Sequence, residues 1–353
     1  MLQAERQAEL DLAKAAHRLT ADLARPNRAL YWFDLGASSA GVYGGLALAA
    51  MAHGPGRALG AALCVLALYR AMSFIHELTH LRGRDIPGFH LAWNVLIGTP
   101  FLIPSMLYEG VHNLHHAKHR YGTAQDPEYL PLSRSSRTTL LAFLAVSLLA
   151  PLGGFLRFAL AAPVSFAVPG VRRAVLARFS AITINPAFRR EDLDRFSGPA
   201  GRAQEIACWL WSWALVALVA QGGAPMRWVL WGAAALSLAT FVNQWRTLAA
   251  HAWTSDGRPL TFTGQFEDSV NVPPPAWLPA LWAPVGLRYH ALHHLLPRLP
   301  YHALGEAHRR LSETLPAHSA YHRAQQPGLL PALRAVLGRA AAHRREIGSR
   351  AEA

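Results

Sequence analysis

Four runs of this chain, at about 35–52, 59–80, 207–219 and 228–250, are nearly free of charge and close to the length that crosses the hydrocarbon core of a bilayer. Such runs leave little structural choice. With no water to satisfy backbone N–H and C=O groups, each must form a helix that bonds to itself. Composition agrees: 52% of residues are hydrophobic and 16% charged, where an ordinary soluble domain carries about 25% charged. Eleven tryptophans add rings suited to the membrane–water boundary.

Gly54-Pro55-Gly56 joins the first two runs, and Gly222-Gly223-Ala224-Pro225 the last two. Two further apolar stretches are interrupted: 89–107 by Gly98, Pro100 and Pro104, and 138–168 by Pro151, Gly153, Gly154 and Pro163. These read as re-entrant or interfacial segments. The expected fold is all-α and integral to the membrane: four transmembrane helices in two hairpins, with re-entrant or interfacial helices and a cytosolic histidine-rich cap. The expected divisions are a cytosolic amphipathic segment over 1–30, a membrane domain over 31–310 and a basic cytosolic tail over 311–353, whose helix after about Leu329 presents a solvated or membrane-surface face. The first residues mix acidic and basic side chains without an apolar stretch, so no signal peptide is expected.

The net charge of +13 is unevenly placed. Arg25, Arg28, Arg82, Arg84, Arg172, Arg173, Arg189 and Arg190 fall on the side of the long loops, against Arg57 and Arg227 on the other. The positive-inside bias puts the long loops and both termini in the cytoplasm, in an inner membrane if the source is bacterial. No helix-turn-helix, zinc-finger or RNP pattern supports a nucleic-acid partner. Cys64 and Cys208 lie in apolar runs and form neither a CxxC pair nor a disulfide framework.

Chemistry concentrates in histidine. His76-Glu-Leu-Thr-His80 closes the second run, His112-Asn-Leu-His115-His116 follows the first interrupted stretch, and His290-Ala-Leu-His293-His294 follows the last run. On a helix, i, i+3 and i+4 share one face, so each group can aim its imidazoles at one point. Eighteen histidines among 353 residues would produce an HxxHH triplet by chance about 0.05 times; two triplets and an HxxxH demand a cause. Imidazole clusters suit Zn, Cu, Fe or Ni. Eight such ligands exceed what one ion takes, so two ions sharing the set is the reading, with iron favoured for redox chemistry on a lipid. His76-Glu77-x-x-His80 also matches the HExxH of zinc proteases, with Glu77 as general base, but that reading leaves both triplets unexplained. With iron, Glu77 becomes a hydrogen-bond partner orienting a ligand ring.

The order HxxxH, HxxHH, HxxHH resembles the membrane fatty-acid desaturase superfamily, over about Phe74–Arg310. The match extends through His119-Arg-Tyr-Gly-Thr, Asp126-Pro-Glu128, Leu299-Pro300-Tyr301-His302 and Ala307-His308-Arg309-Arg310, and the downstream part looks most like bacterial acyl-lipid desaturases. The resemblance implies a ninth ligand, His251, at the end of Asn243-Gln-Trp-Arg-Thr-Leu-Ala-Ala-His251. It also implies a water-holding Asn one turn earlier, where this chain has Thr247; Asn243, two turns back, and Asn271, in Asp268-Ser-Val-Asn271, are the substitutes on offer. The expected metal ligands are thus His76, His80, His112, His115, His116, His251, His290, His293 and His294. Glu77, His119, Asn243, Thr247, Asp268 and Asn271 are candidates for supporting roles.

The resemblance further implies a mushroom-like helical fold, two irons, O₂ as co-substrate and two external electrons per turnover. There is no His-Pro-Gly-Gly haem motif and no GxGxxG fingerprint, so no bound haem, flavin or nucleotide is expected, and the donor is a separate protein such as a ferredoxin or cytochrome. The leading expectation is a cis double bond in an acyl chain carried as a fatty acid, acyl-CoA or phospholipid. The alternative is a hydroxylase or ketolase on the same scaffold, since the ligand set does not choose between losing a second hydrogen and gaining oxygen.

Overall fold

The computed structural model describes residues 2–275 and 278–351. In chain order its main helices are α1 Leu2–Thr20, α2 Arg28–Met51, α3 Gly54–His80, α4 Phe89–Gly98, α5 His112–His115, α6 Arg137–Ala167 and α7 Pro169–Phe179. There follow α8 Pro199–Ala220, α9 Gly223–Ala250, α10 Phe262–Asp268, α11 Pro279–Trp282, α12 His290–Leu295, α13 Leu304–Thr314 and α14 Leu329–Ala351. No strand forms among the described residues, only isolated bridges.

Four helices are long and apolar enough to cross a membrane: α3, α6, α8 and α9. Within the most apolar window of α6 only 11% of residues are buried, so its apolar surface faces outward to lipid. The chain is an integral membrane protein. The two expected hairpins are present as α2–α3 and α8–α9, but α2 is not among the four apolar candidates. Asp34, Ser38, Ser39 and four glycines dilute its hydropathy. Those small residues serve packing instead. A Cβ on Gly45 would stand 2.5 Å from the Cys64 amide nitrogen, and one on Gly60 would stand 2.5 Å from that of Ala49. Only glycine lets the two backbones come so close.

Segment 138–168, expected to break, instead runs as α6, with a 3-10 turn at Val146–Leu149 and a π turn at Leu156–Ala161. These adjustments absorb Pro151 and Pro163, as neighbouring helices allow in a membrane. Its contacts still bend back. Ser237 and Thr240 of α9 hydrogen-bond the carbonyls of Leu148 and Ser147, while Arg157 meets Glu205, in the second turn of α8.

Beyond the metal-side ends of α3 and α9 sits a cap. α1 docks on α13 through Leu12 and Ala16, and Arg310 ties back to Asp22 and the Leu19 carbonyl. The C-terminal tail helix leaves Leu330, Leu337 and Ile347 exposed, and its other side packs inward. α14 buries Ala332, Leu333, Val336 and Ala340 against Tyr121, Tyr129 and Trp253, because its alanine-rich side leaves room for large aromatic rings.

Candidate metal centre

Four elements deliver nine imidazoles. α3 ends on His76 and His80; α5 and the residue after it carry His112, His115 and His116; His251 follows α9 in extended backbone; α12 carries His290, His293 and His294. They form two groups: His76, His80, His112, His116 and His293, and His115, His251, His290 and His294, with ligand nitrogens within 4.8 Å inside each. Each HxxHH triplet is split. The i and i+4 rings of α5 enter the five-histidine group while its i+3 ring enters the other, and α12 does the reverse. Neither group can form unless both triplets are in place.

The second coordination layer fixes which nitrogen faces inward. His115 Nδ1 stands 3.0 Å from both oxygens of Asp126, and His112 Nδ1 stands 2.9 Å from Glu128 Oε1. Tyr121 donates to Asp268 at 3.0 Å and so accepts from His251 Nδ1, at 2.9 Å. In all three the Nδ1–H is the donor and Nε2 presents a lone pair. Nε2 of His112, His116 and His293 then face one another at 2.9–3.5 Å. Each nitrogen is either donor or acceptor, so at least two of the three are alike and repel. In the other group His290 Nε2 stands 2.9 Å from His251 Nε2 and 3.2 Å from His294 Nε2. A cation removes the conflict: bonds of about 2.1 Å at right angles put neighbouring nitrogens about 3.0 Å apart. Both nitrogens of His76 and Nε2 of His80 are also buried without a hydrogen-bond partner. The donor set fits two metal ions.

Electrostatics favour the ligating form. Burial, reinforced by neighbouring imidazoles, holds His112, His116, His251, His290, His293 and His294 well below the ordinary histidine range, hence neutral. His115 differs. Burial pulls it down, but the carboxylates of Asp126, Glu128 and Asp268 outweigh that and raise it. Burial lifts Glu128 to about 7 and raises Asp268, whose charge is eased by hydrogen bonds from Thr254, Tyr129 and Tyr121.

The supporting candidates divide. Asp268 is part of the layer behind His251. Asn271 is fully buried, but its Oδ1 accepts from the Leu292 amide, so it positions α12 rather than a metal. Asn243 accepts from Arg246, and Thr247 is buried one turn before His251. His119 lies exposed, outside both groups. Glu77, expected to orient a ligand ring, does not. Its Oε1 is 3.9 Å from His76 Nδ1, while Oε2 accepts from the Tyr31 hydroxyl at 2.5 Å and the Tyr301 amide at 3.2 Å. The turn of α3 points it at α2, which also leaves it unplaced as the general base of a hydrolase. Asp126, Glu128, Tyr108 and Tyr121 were not singled out as site residues. The signals were Asp126-Pro-Glu128 standing just after the second triplet and, for Tyr121, the segment His119-Arg-Tyr-Gly-Thr; Tyr108 had none.

Known proteins share much of this sequence. The profile of the family described as fatty acid desaturase matches residues 55–326. A ceramide hydroxylase from Caulobacter vibrioides (strain NA1000 / CB15N) is 56% identical over 326 residues, covering 92% of this chain and 93% of that protein.

Proposed function

This chain belongs to the fatty acid desaturase family, as a membrane enzyme that acts on a lipid, and from that premise we propose that it hydroxylates a ceramide using O₂ and a pair of iron ions. The observation that carries hydroxylation over desaturation is a 56% identity, nearly end to end, with a protein named for that reaction. The leading expectation of a double bond gives way to its alternative. The balance is R–H + O₂ + 2e⁻ + 2H⁺ → R–OH + H₂O, with electrons from a separate carrier such as a ferredoxin or cytochrome. Bound iron would supply the oxidising power that the unactivated C–H bond requires.

The chain's own residues do the rest. His76, His80, His112, His116 and His293 would hold one ion, and His115, His251, His290 and His294 the other. Asp126, Glu128 and Tyr121 keep Nδ1 protonated on three of these rings, so that Nε2 stays directed inward. Burial of nine of the twelve groups just named keeps bulk water out and strengthens every charge interaction inside. The cap and both termini are assigned to the cytoplasm on the arginine asymmetry.

The test is expression in a bacterium that makes or is fed ceramide, followed by lipid mass spectrometry. A ceramide heavier by one oxygen atom, dependent on O₂, supports hydroxylation. A species lighter by two hydrogens restores desaturation, the reading the family description favours. No new lipid under either condition sinks both.

A further inference from the structure

Arg246 is a cation without a counter-ion at the foot of both histidine groups. It lies on α9, five residues before His251. Its Nε is buried with no hydrogen-bond partner, and its NH2 nitrogen donates to Asn243 Oδ1, one turn back on the same helix, at 3.0 Å. Arg70, Arg157 and Arg172 are also embedded among the helices, yet each faces a carboxylate at 2.6–2.7 Å. Among the described residues no carboxylate stands within ion-pair reach of Arg246.

Its position is bounded from several sides. After burial and the nearest imidazole, its charge is the next influence on His251 and His290, and it reaches Tyr108 and Glu128 across the gap between the groups. Tyr69, two turns before His76 on α3, neighbours the guanidinium, and its hydroxyl donates to the Trp282 carbonyl of α11 at 2.7 Å. Beside that carbonyl, α11 leaves Leu281 exposed, and Leu278 before it as well. Arg246 therefore lies where the bilayer side of the bundle meets the metal centre.

Retaining this charge is costly. A half-buried cation with a buried Nε and no carboxylate partner loses solvation without Coulombic return, and metal ions in the adjacent groups would add like-charge repulsion. Ionisable groups at such depth line a ligand path or hold a ligand when no partner residue explains them. The ligand must bring an oxygen acceptor on an apolar chain, because the approach is from lipid and the free group is an N–H donor. We propose that Arg246, positioned beside the Tyr69 hydroxyl, binds the carbonyl at the head of the substrate's acyl chain and so places the chain's methylenes beneath the two histidine groups. The assignment rests on the lipid-hydroxylation reading. A ceramide amide and a fatty-acid carboxylate share this chemistry.

The experiment measures binding without turnover. Metal-loaded protein in nanodiscs, kept anaerobic and without reductant, is titrated with a short-chain ceramide and separately with the free acid of the same chain, and followed by equilibrium dialysis of labelled lipid. Arg246→Gln is expected to weaken ceramide binding roughly 10–100-fold, the loss of a charge-assisted hydrogen bond, with metal content unchanged and Arg246→Lys intermediate. Binding like wild type in Arg246→Gln overturns the site. Should Arg246→Gln lose metal, Arg246→Lys decides in its place: ceramide binding about fivefold weaker with metal retained supports the site, and unchanged binding overturns it. If only the free acid binds, and depends on Arg246, the site stands and the ceramide reading falls. If wild type binds neither lipid, the site itself is overturned.

Discussion

The two histidine groups are built differently although they share both triplets. In the five-histidine group, His80 and His116 are only half-buried, and His76 and His80 have ring nitrogens with no partner. The last turn of a long helix, α3, supplies two of its rings without side-chain support, while a third, His112 on the short α5, is held from behind by Glu128 and Tyr108. The four-histidine group is wholly buried, and two of its rings are held from behind by Asp126 and by Tyr121 with Asp268. Its elements are shorter: an extended residue after α9 and the six-residue α12. The rings on the stiff helix α3 take no side-chain support, whereas the supported rings, His112, His115 and His251, stand on a single helical turn or on extended backbone, where hydrogen bonds supply the rigidity.

The largest expected effects test whether the groups hold separate ions. His293→Ala and His290→Ala remove one ring from each, and each should lower turnover by at least about 10³-fold. Metal analysis should find one ion left rather than none. Loss of both ions in either variant would mean a single shared centre and break the comparison. Next in size is Asp126→Asn, which takes the carboxylate from behind His115. Metal retention in a competition with chelator should fall roughly 10–100-fold, with one ion released first. Tyr121→Phe removes one hydrogen bond to His251 and one to Asp268, and about tenfold weaker retention of the same ion is expected. If it matches wild type, the layer behind the four-histidine group is not what holds it.

Glu77→Gln sharpens the other side. Glu77 braces α3 against Tyr31 and Tyr301, so the variant should lose about 1–3 kcal/mol of stability in thermal unfolding while keeping both ions and O₂-dependent activity. Inactivity with metal bound would return Glu77 to the chemistry. The smallest effect belongs to His119→Ala, within about 0.5 kcal/mol in stability and indistinguishable from wild type in turnover, since the ring is exposed and outside both groups.

Legibility in the sequence followed the range of the forces involved. The α8–α9 hairpin could be read directly, because an apolar run of that length has only one structure in lipid. The first hairpin could be read as helices, but α2 fell short in apolarity because its glycines and serines answer to α3 rather than to the bilayer. At 138–168 the prolines read locally as breaks, but neighbouring helices absorb them as 3-10 and π turns. The buried side of α14 was not legible, since its partners Tyr121, Tyr129 and Trp253 lie over 70 residues away along the chain.

By itself, the sequence determined that eight imidazoles would be presented in three clusters on helical faces, because i, i+3 and i+4 spacing is a local property of the backbone, while the ninth, His251 on extended backbone, carried no such spacing. Only the tertiary structure decided how they are shared: each triplet divided between two groups, Asp126 and Glu128 set behind rings eleven and sixteen residues away, and Glu77 turned from its own motif toward α2. Spacing says which side chains share a face. Which nitrogen meets which depends on how four separate elements cross in space, and that follows from packing across the whole bundle.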